Sequence, residues 1–154
     1  MPATKLKEYL DNHGVKYVSI RHSPAYAAAE VAASAHVAGR DFAKTIVVRI
    51  DGSLALVVLP ASRRLVLSDL RELLQSPLVR LATEAEFRDR FPDCEVGAMP
   101  PFGNLYGLPV YVAESLAQEK EIAFNAGTHT EVIKMDYHDF DELVHPVVLD
   151  FITT

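Results

Sequence analysis

An α+β fold, a mixed and mostly antiparallel sheet flanked by helices, is predicted by three features of this sequence. Two β-branched runs, KTIVVRI and SLALVVLP, meet at Asp51-Gly52, a pair in which both residues accept positive φ and so suit a tight hairpin. Three later stretches of strand composition, LPVYVAE, EIAFNAG and TEVIKM, follow one another closely. Connections this short hold no crossover helix, which favours antiparallel or mixed pairing. Helical patterns occupy the segments before, between and after these strands.

Taken in order, Leu6 and Leu10 share one face of a first helix that ends at Gly14. VKYVSI has strand composition until Ser23-Pro24 interrupts it, and an Ala-rich helix covers Ala27 to Val37. After the hairpin, Ser68 is placed to cap a helix over DLRELLQS, and LVRLA reads as a short strand. Thr83-x-x-Glu86 is a capping box for a helix that closes near Phe91-Pro92. Asp136 is expected to cap the last helix, with Pro146 beyond its end.

The length of 154 residues, with 49% hydrophobic and 23% charged residues, fits one domain over residues 1–154 with a full core. A formal net charge of −6 argues against broad binding to a nucleic-acid backbone, so DNA is not an expected partner and any RNA must be gripped locally. No apolar run reaches membrane-spanning length and the first residues lack a signal-peptide core, so no membrane partner and a cytoplasmic location are expected. Cys94 stands alone, which gives no disulfide and no Cys-x-x-Cys site; it reads as a small packing residue.

Most chemical signatures are missing. There is no Gly-x-Ser-x-Gly elbow and no Gly-x-Gly-x-x-Gly. GRDFAKT is one residue short of a phosphate loop, carries Ala43 where glycine is needed, and leads into a strand where a helix N-terminus is required. His129, His138 and His145 are too far apart to share one helical or strand face, so neither a metal nor a cofactor is expected. Two residues stand out. Strand alternation sets Lys44 on the side of Ile46, Val48 and Ile50, either as the head of an apolar face or as a strand-end lysine that snorkels to water. His129 has the parity of Ile133 and Met135, as does Glu131; a satisfied histidine at the core edge is the plain alternative.

The segment GAMPPFG, from Gly97 to Gly103, is the third unusual feature. Prolines 100 and 101 fix their own φ and restrict the residues before them, while the flanking glycines permit close backbone approach. Such a wall is rigid enough to measure a small side chain, and apolar Met99 and Phe102 set it apart from an ordinary surface turn. A methyl group at Gly97 is expected to intrude where backbone meets a ligand. Were Lys44 and His129 to converge with this loop, a cation, an imidazole and exposed amides would surround one pocket.

Lys44 at the head of a hairpin strand, VGAMPPFGNLYGLPVYVAE and EIAFNAGTHTEVIKM, in that order and over nearly the whole chain, resemble the YbaK/prolyl-tRNA synthetase-associated editing domain family. The resemblance implies a curved mixed sheet surrounded by helices and a free-standing enzyme that hydrolyses the ester of mischarged aminoacyl-tRNA bearing a small amino acid. The family's lysine matches Lys44, its Gly-x-x-x-Pro loop matches Gly97 to Pro101, and its histidine after a late glycine matches His129. Lys44, Gly97 and His129 are thereby implied as catalytic, with Ala98, Met99, Pro100, Pro101, Phe102, Gly127 and Thr128 around the substrate. Lys44 is expected to act as a charge and not as a nucleophile, since the sequence supplies no evident second cation beside it. The implied partner is the acceptor end of aminoacyl-tRNA, with an aminoacyl-tRNA synthetase as a further candidate. Arg63 and Arg64 either help hold that end or form a solvated charged turn. A non-catalytic module that binds aminoacyl ends or associates with a synthetase is the alternative.

Overall fold

The computed structural model describes residues 4–153, so the extreme ends of the expected domain, residues 1–3 and 154, lie outside the described residues. Helix α1 (Thr4–Asn12) buries Leu6 and Leu10 and is followed by strand β1 (Tyr17–Arg21). Helix α2 (Ala28–Ser34) is shorter than its alanines suggested. His36 adopts φ +58°, and the Val37 and His36 amides close back on the Ala32 and Ala33 carbonyls at 2.8 and 3.1 Å, a left-handed cap that ends the helix early.

Strands β2 (Ala43–Ile50) and β3 (Ser53–Pro60) form the expected hairpin, with φ of +52° at Asp51 and +86° at Gly52. A short strand β4 (Arg64–Leu65) precedes helix α3 (Leu67–Leu74). This helix opens at Val66 and not at Ser68, which lies inside its first turn. Leu67, Leu70 and Leu74 are spaced to bury one stripe, and their burial fixes the start more firmly than a serine cap. Strand β5 (Val79–Leu81) and helix α4 (Glu84–Phe87) follow, the latter with the expected capping box, and a 3₁₀ turn over Arg88–Arg90 completes that segment. Then come a 3₁₀ turn over Gly103–Leu105, strand β6 (Val110–Ala113), helix α5 (Glu114–Ala117), and strands β7 (Glu121–Asn125) and β8 (Glu131–Asp136). Helix α6 (Tyr137–Val144) starts at Asp136 without a capping bond from that side chain, and strands β9 (Val147–Leu149) and β10 (Ile152–Thr153) end the described chain.

The mixed, mostly antiparallel α+β architecture read from the sequence is present, divided among three sheets. One has the order β5-β2-β3-β6-β9, one the order β1-β8-β7, and β10 pairs with β4. The β3–β6 and β6–β9 pairs are parallel. A parallel bridge from Phe42 to Ala123 joins the two larger sheets.

The central hairpin is buried on both faces. Ala43, Val47, Leu54, Leu56 and Val58 enter one core, while Val48, Ala55, Val57 and Leu59 enter a second beneath α3. Alternation in β2 therefore separates two apolar faces, not an apolar face from a wet one. Lys44, paired with Leu59, lies on the side of the second core.

Helix α1 is held by a buried carboxylate. Glu131, 3% exposed, accepts from Lys7 Nζ at 2.5 Å and from the Ser19 hydroxyl, with the Arg21 guanidinium at 3.8 Å. Burial pushes this carboxyl up, but the Lys7 and Ser19 hydrogen bonds and the Lys7 and Arg21 charges outweigh it and hold the group below the ordinary carboxylate range. A depressed carboxylate contributes stability above its unfolded-state pKa and loses it as pH falls through the folded value. Glu131→Gln is expected to cost about 2 kcal/mol at pH 7. The deficit should shrink at acid pH, below the ordinary carboxylate range, as the wild-type carboxyl protonates through its lowered folded-state value. Urea unfolding at neutral and at acid pH checks this; an equal deficit at each would show that packing, not charge, is at stake.

Candidate functional site

Residues 95–98 make a β-turn closed by the Ala98 amide on the Glu95 carbonyl at 3.0 Å, with Gly97 at φ +86° in its third position. That position of a type II turn demands positive φ. The turn is clasped to the loop between β7 and β8 by four hydrogen bonds. Glu95 N–H donates to Gly127 O at 2.8 Å, Gly127 N–H to Ala98 O at 2.9 Å, His129 N–H to Glu95 Oε1 at 2.7 Å, and His129 Nε2–H to Val96 O at 2.9 Å. In the last bond Nε2 is the donor, because a carbonyl only accepts. A Cβ at Gly97 lies 3.5 Å from His129 Cε1, an ordinary contact. Within the fold itself, glycine is thus required by backbone conformation and not by space.

The segment that follows is core and not an exposed wall. Met99, Pro100, Pro101, Phe102 and Gly103 are all buried. Phe102, fully buried, packs against Phe124 at 5.5 Å, edge-on against Phe140 at 5.3 Å and against Tyr9 at 6.2 Å between ring centroids. It anchors the loop from the core side. The two prolines have a second use here: an irregular stretch threading the core must satisfy its N–H donors, and at 100 and 101 there are none. A Cβ at Gly103 falls 2.5 Å from Leu108 O and 2.6 Å from Val110 Cγ2, so the loop closes on β6 only with glycine there. Helix α1 braces the same loop through Lys5 Nζ on Leu105 O at 2.9 Å and Asn104 Nδ2 on Tyr9 Oη at 3.0 Å.

Of the amides expected near Gly97, that of Ala98 is spent inside the turn, whereas the Gly97 N–H has no acceptor among the described residues and Gly97 is exposed. Over this junction runs the chain before α2. His22 N–H donates to Thr130 O at 2.9 Å and Ala25 N–H to His129 O at 3.2 Å, and the Tyr26 ring rests on the His129 ring with centroids 4.6 Å apart. Tyr26 and Glu95 escaped the sequence reading. One sits in an Ala-rich stretch without a period to mark it, and the other looks like any loop carboxylate.

Five side-chain polar atoms are buried without a partner among the described residues, and four belong to this end of the molecule: His22 Nε2, Thr45 Oγ1, Asn125 Oδ1 and His129 Nδ1. Natural proteins rarely leave such atoms unpaired, and their gathering marks a place where something other than the fold sets residue choice. Thr128, half-buried, exchanges a hydroxyl hydrogen bond with Thr130 at 3.2 Å.

Lys44 comes near this junction, but its hydrogen bond goes to Arg63 and not to the clasp. Its predecessor Ala43 shares the first core with Met99, Phe102 and Ala126, and the register of the Phe42–Ala123 bridge brings Lys44 level with Asn125, two residues before Gly127. Its ammonium donates to Arg63 O at 2.6 Å. Burial, then the charge of Arg64, pulls the Lys44 pKa below the usual lysine value. Arg64 is the second cation that the sequence had not disclosed. Arg63 and Arg64 are exposed, so Lys44 heads a cationic group at the β3–β4 turn.

Another arginine-rich place is already occupied by the protein itself. A cleft of about 450 Å³ beside Arg49, Arg71 and Arg80 lies at the other end of β2. There Arg49 and Arg80 both bind Glu86, at 2.5 and 2.7 Å, and Arg71 Nε donates to Val79 O at 3.0 Å. The Arg80 hydrogen bond first, then the Thr83 amide, holds the Glu86 carboxyl well below the ordinary range, so it stays ionised against its arginines.

A family model described as an aminoacyl-tRNA editing domain matches residues 22–143. That span contains Lys44, the Gly97 turn and His129. Among solved structures, the chain is similar to a hypothetical protein at 25% identity, with 97% of this chain and 99% of that one covered and a TM-score of 0.85. It is similar also to a proposed trans-editing enzyme for prolyl-tRNA synthetase, at 24% identity over 99% of this chain and 98% of that one, TM-score 0.83. These likenesses establish the fold. Comparison with curated protein sequences finds no match.

Because Gly97 is required for its left-handed φ, Gly97→Ala is expected to destabilise the protein by ~1–2 kcal/mol. Gly97→Asn should recover part of that loss, since asparagine tolerates positive φ. Thermal melts of both variants give the ranking; Gly97→Ala as stable as wild type would remove the conformational account.

Proposed function

The chain belongs to the aminoacyl-tRNA editing domain family, and on that premise we propose that it hydrolyses the ester bond of mischarged aminoacyl-tRNA carrying a small amino acid, as a free-standing trans-editing enzyme. The observation that carries this reading is the unpartnered Gly97 N–H, presented at an exposed turn that His129 and Glu95 hold rigid. An aminoacyl ester is already more reactive than an amide, so positioning and electrostatic stabilisation suffice without a covalent nucleophile. Water attacks the carbonyl carbon, the carbonyl oxygen gains negative charge, and Gly97 N–H donates to it. The carbon–oxygen bond to the ribose then breaks, and the departing ribose oxygen takes the proton lost by the water. The neighbouring ribose hydroxyl is placed by the substrate itself to relay that proton.

His129 acts in this scheme through the turn. Its Nε2–H fixes the Val96 carbonyl and hence the adjacent Gly97 amide. Ala98, Met99, Pro100, Pro101, Gly127 and Thr128 support that geometry from behind, most of them buried. Lys44, with Arg63 and Arg64, supplies positive charge for phosphate at the acceptor end, which reconciles a local grip on RNA with the net charge of −6. A single editing domain over residues 1–154, cytoplasmic like its substrate and able to meet a synthetase there, accords with this role.

The first test is a deacylation panel using tRNAs charged with alanine, cysteine, serine or threonine. Release above the spontaneous rate is expected for at least one; release for none, with binding retained, would leave the chain a non-catalytic aminoacyl-tRNA binding module.

A second test concerns Lys44, whose charge is held against burial and against Arg64. Lys44→Met should lower single-turnover release about a hundredfold. The same variant should melt at or above the wild-type temperature, because a desolvated charge has been removed from the strand. The protonated amine is the useful form and its pKa is lowered, so enzyme-dependent release should decline as pH rises toward that value, and Lys44→Arg should carry the decline to higher pH. Wild-type rates in Lys44→Met, or a trapped covalent adduct on Lys44, would overturn the assignment.

A further inference from the structure

Tyr26 is 70% exposed, yet it is not loose. The residue before it is tied to His129 O at 3.2 Å and the residue after it receives the Val31 amide at 3.0 Å, so the backbone is fixed on both sides. One face of the ring rests on His129, tilted by 46° at 4.6 Å, and the exposure leaves the opposite face open to solvent. Val96, also exposed, is joined to His129 by the bond from Nε2 to its carbonyl. An aromatic ring held rigid with one bare face, next to the amide that faces the ester, is poor economy for a fold and well suited to a flat ligand.

We propose that Tyr26 is a base-stacking residue whose open face receives the terminal adenine of the acceptor end. This rests on the deacylase reading, in which the ester and that adenine hang from the same ribose. The contacts have the matching order: adenine on Tyr26, Tyr26 on His129, and His129 against Gly97, where the ester carbonyl is bound. Stacking needs a π-face and not a hydroxyl, so phenylalanine replaces Tyr26 and leucine, which fills similar space, does not. The stack also explains how an acidic protein holds an RNA end with few cations, since its attraction is not lost when phosphate charge is screened.

The experiment measures binding without turnover. Uncharged acceptor-stem RNA ending in CCA, and the same RNA lacking the terminal adenosine, are titrated by fluorescence anisotropy against wild type, Tyr26→Phe and Tyr26→Leu. Wild type and Tyr26→Phe should bind the adenosine-ended RNA about tenfold more tightly than the truncated one. Tyr26→Leu should bind both alike, with an unchanged melting temperature. Persistence of the preference in Tyr26→Leu, or its absence in wild type, would overturn the proposal. The deacylase reading fails separately: loss of ester release from every charged tRNA, with the adenosine preference intact, would sink it while leaving the stacking residue in place.

Discussion

The candidate site depends on one interaction, the mutual clasp of two loops that have no regular structure of their own. The 95–98 turn and the 127–129 bend are each too short to hold a shape alone, but the bonds from Glu95 to Gly127, Gly127 to Ala98 and His129 to both Glu95 and Val96 make each loop the template of the other. An amide directed at a developing charge is useful only if it need not reorganise during the reaction. The clasp provides that fixity, and the buried Phe102 rivets it to the core through Phe124 and Phe140.

The hairpin buried on both faces explains why chemistry collects at this end. Along most of β2 and β3 both surfaces are filled by apolar side chains, so polar groups have room only where the strands leave the sheet. Lys44 and Thr45 enter there from β2, Asn125 leaves there from β7, and the Phe42–Ala123 bridge keeps the two strands together. The desolvated Lys44 and the unpartnered Thr45, Asn125 and His129 atoms are costs to the fold, which a bound ester and phosphate would offset in the proposed function. By contrast the arginines at the far end of β2 are satisfied by Glu86, which is how charge looks when stability alone is served.

Recognition confined to a terminal nucleoside and its ester also fits a chain of this charge. In the proposed function, three cations at the β3–β4 turn and one aromatic face would engage a short stretch of RNA, while the rest of an acidic surface would repel the remainder. On the same proposal, selectivity for the amino acid would rest on contacts at the Gly97 turn, where one methylene is worth ~1–3 kcal/mol.

The sequence by itself determined what local rules govern. Asp51-Gly52 dictated the hairpin, Thr83 and Glu86 dictated their cap, and Leu6 with Leu10 dictated the buried side of α1, because each signal acts over a few residues. The unusual composition around Gly97 and the late Gly127-Thr128-His129 were also legible, and they do meet. Local rules misplaced the start of α3, where a leucine stripe outweighed Ser68, and the end of α2, where His36 turned left-handed. Only the tertiary structure decided that GAMPPFG runs through the core, that Arg64 faces Lys44, that β3 pairs in parallel with a strand fifty residues away, and that Tyr26 covers His129. Each of these is a contact between residues far apart in the chain, and burial, desolvation and stacking are properties of such contacts, not of any segment that contributes to them.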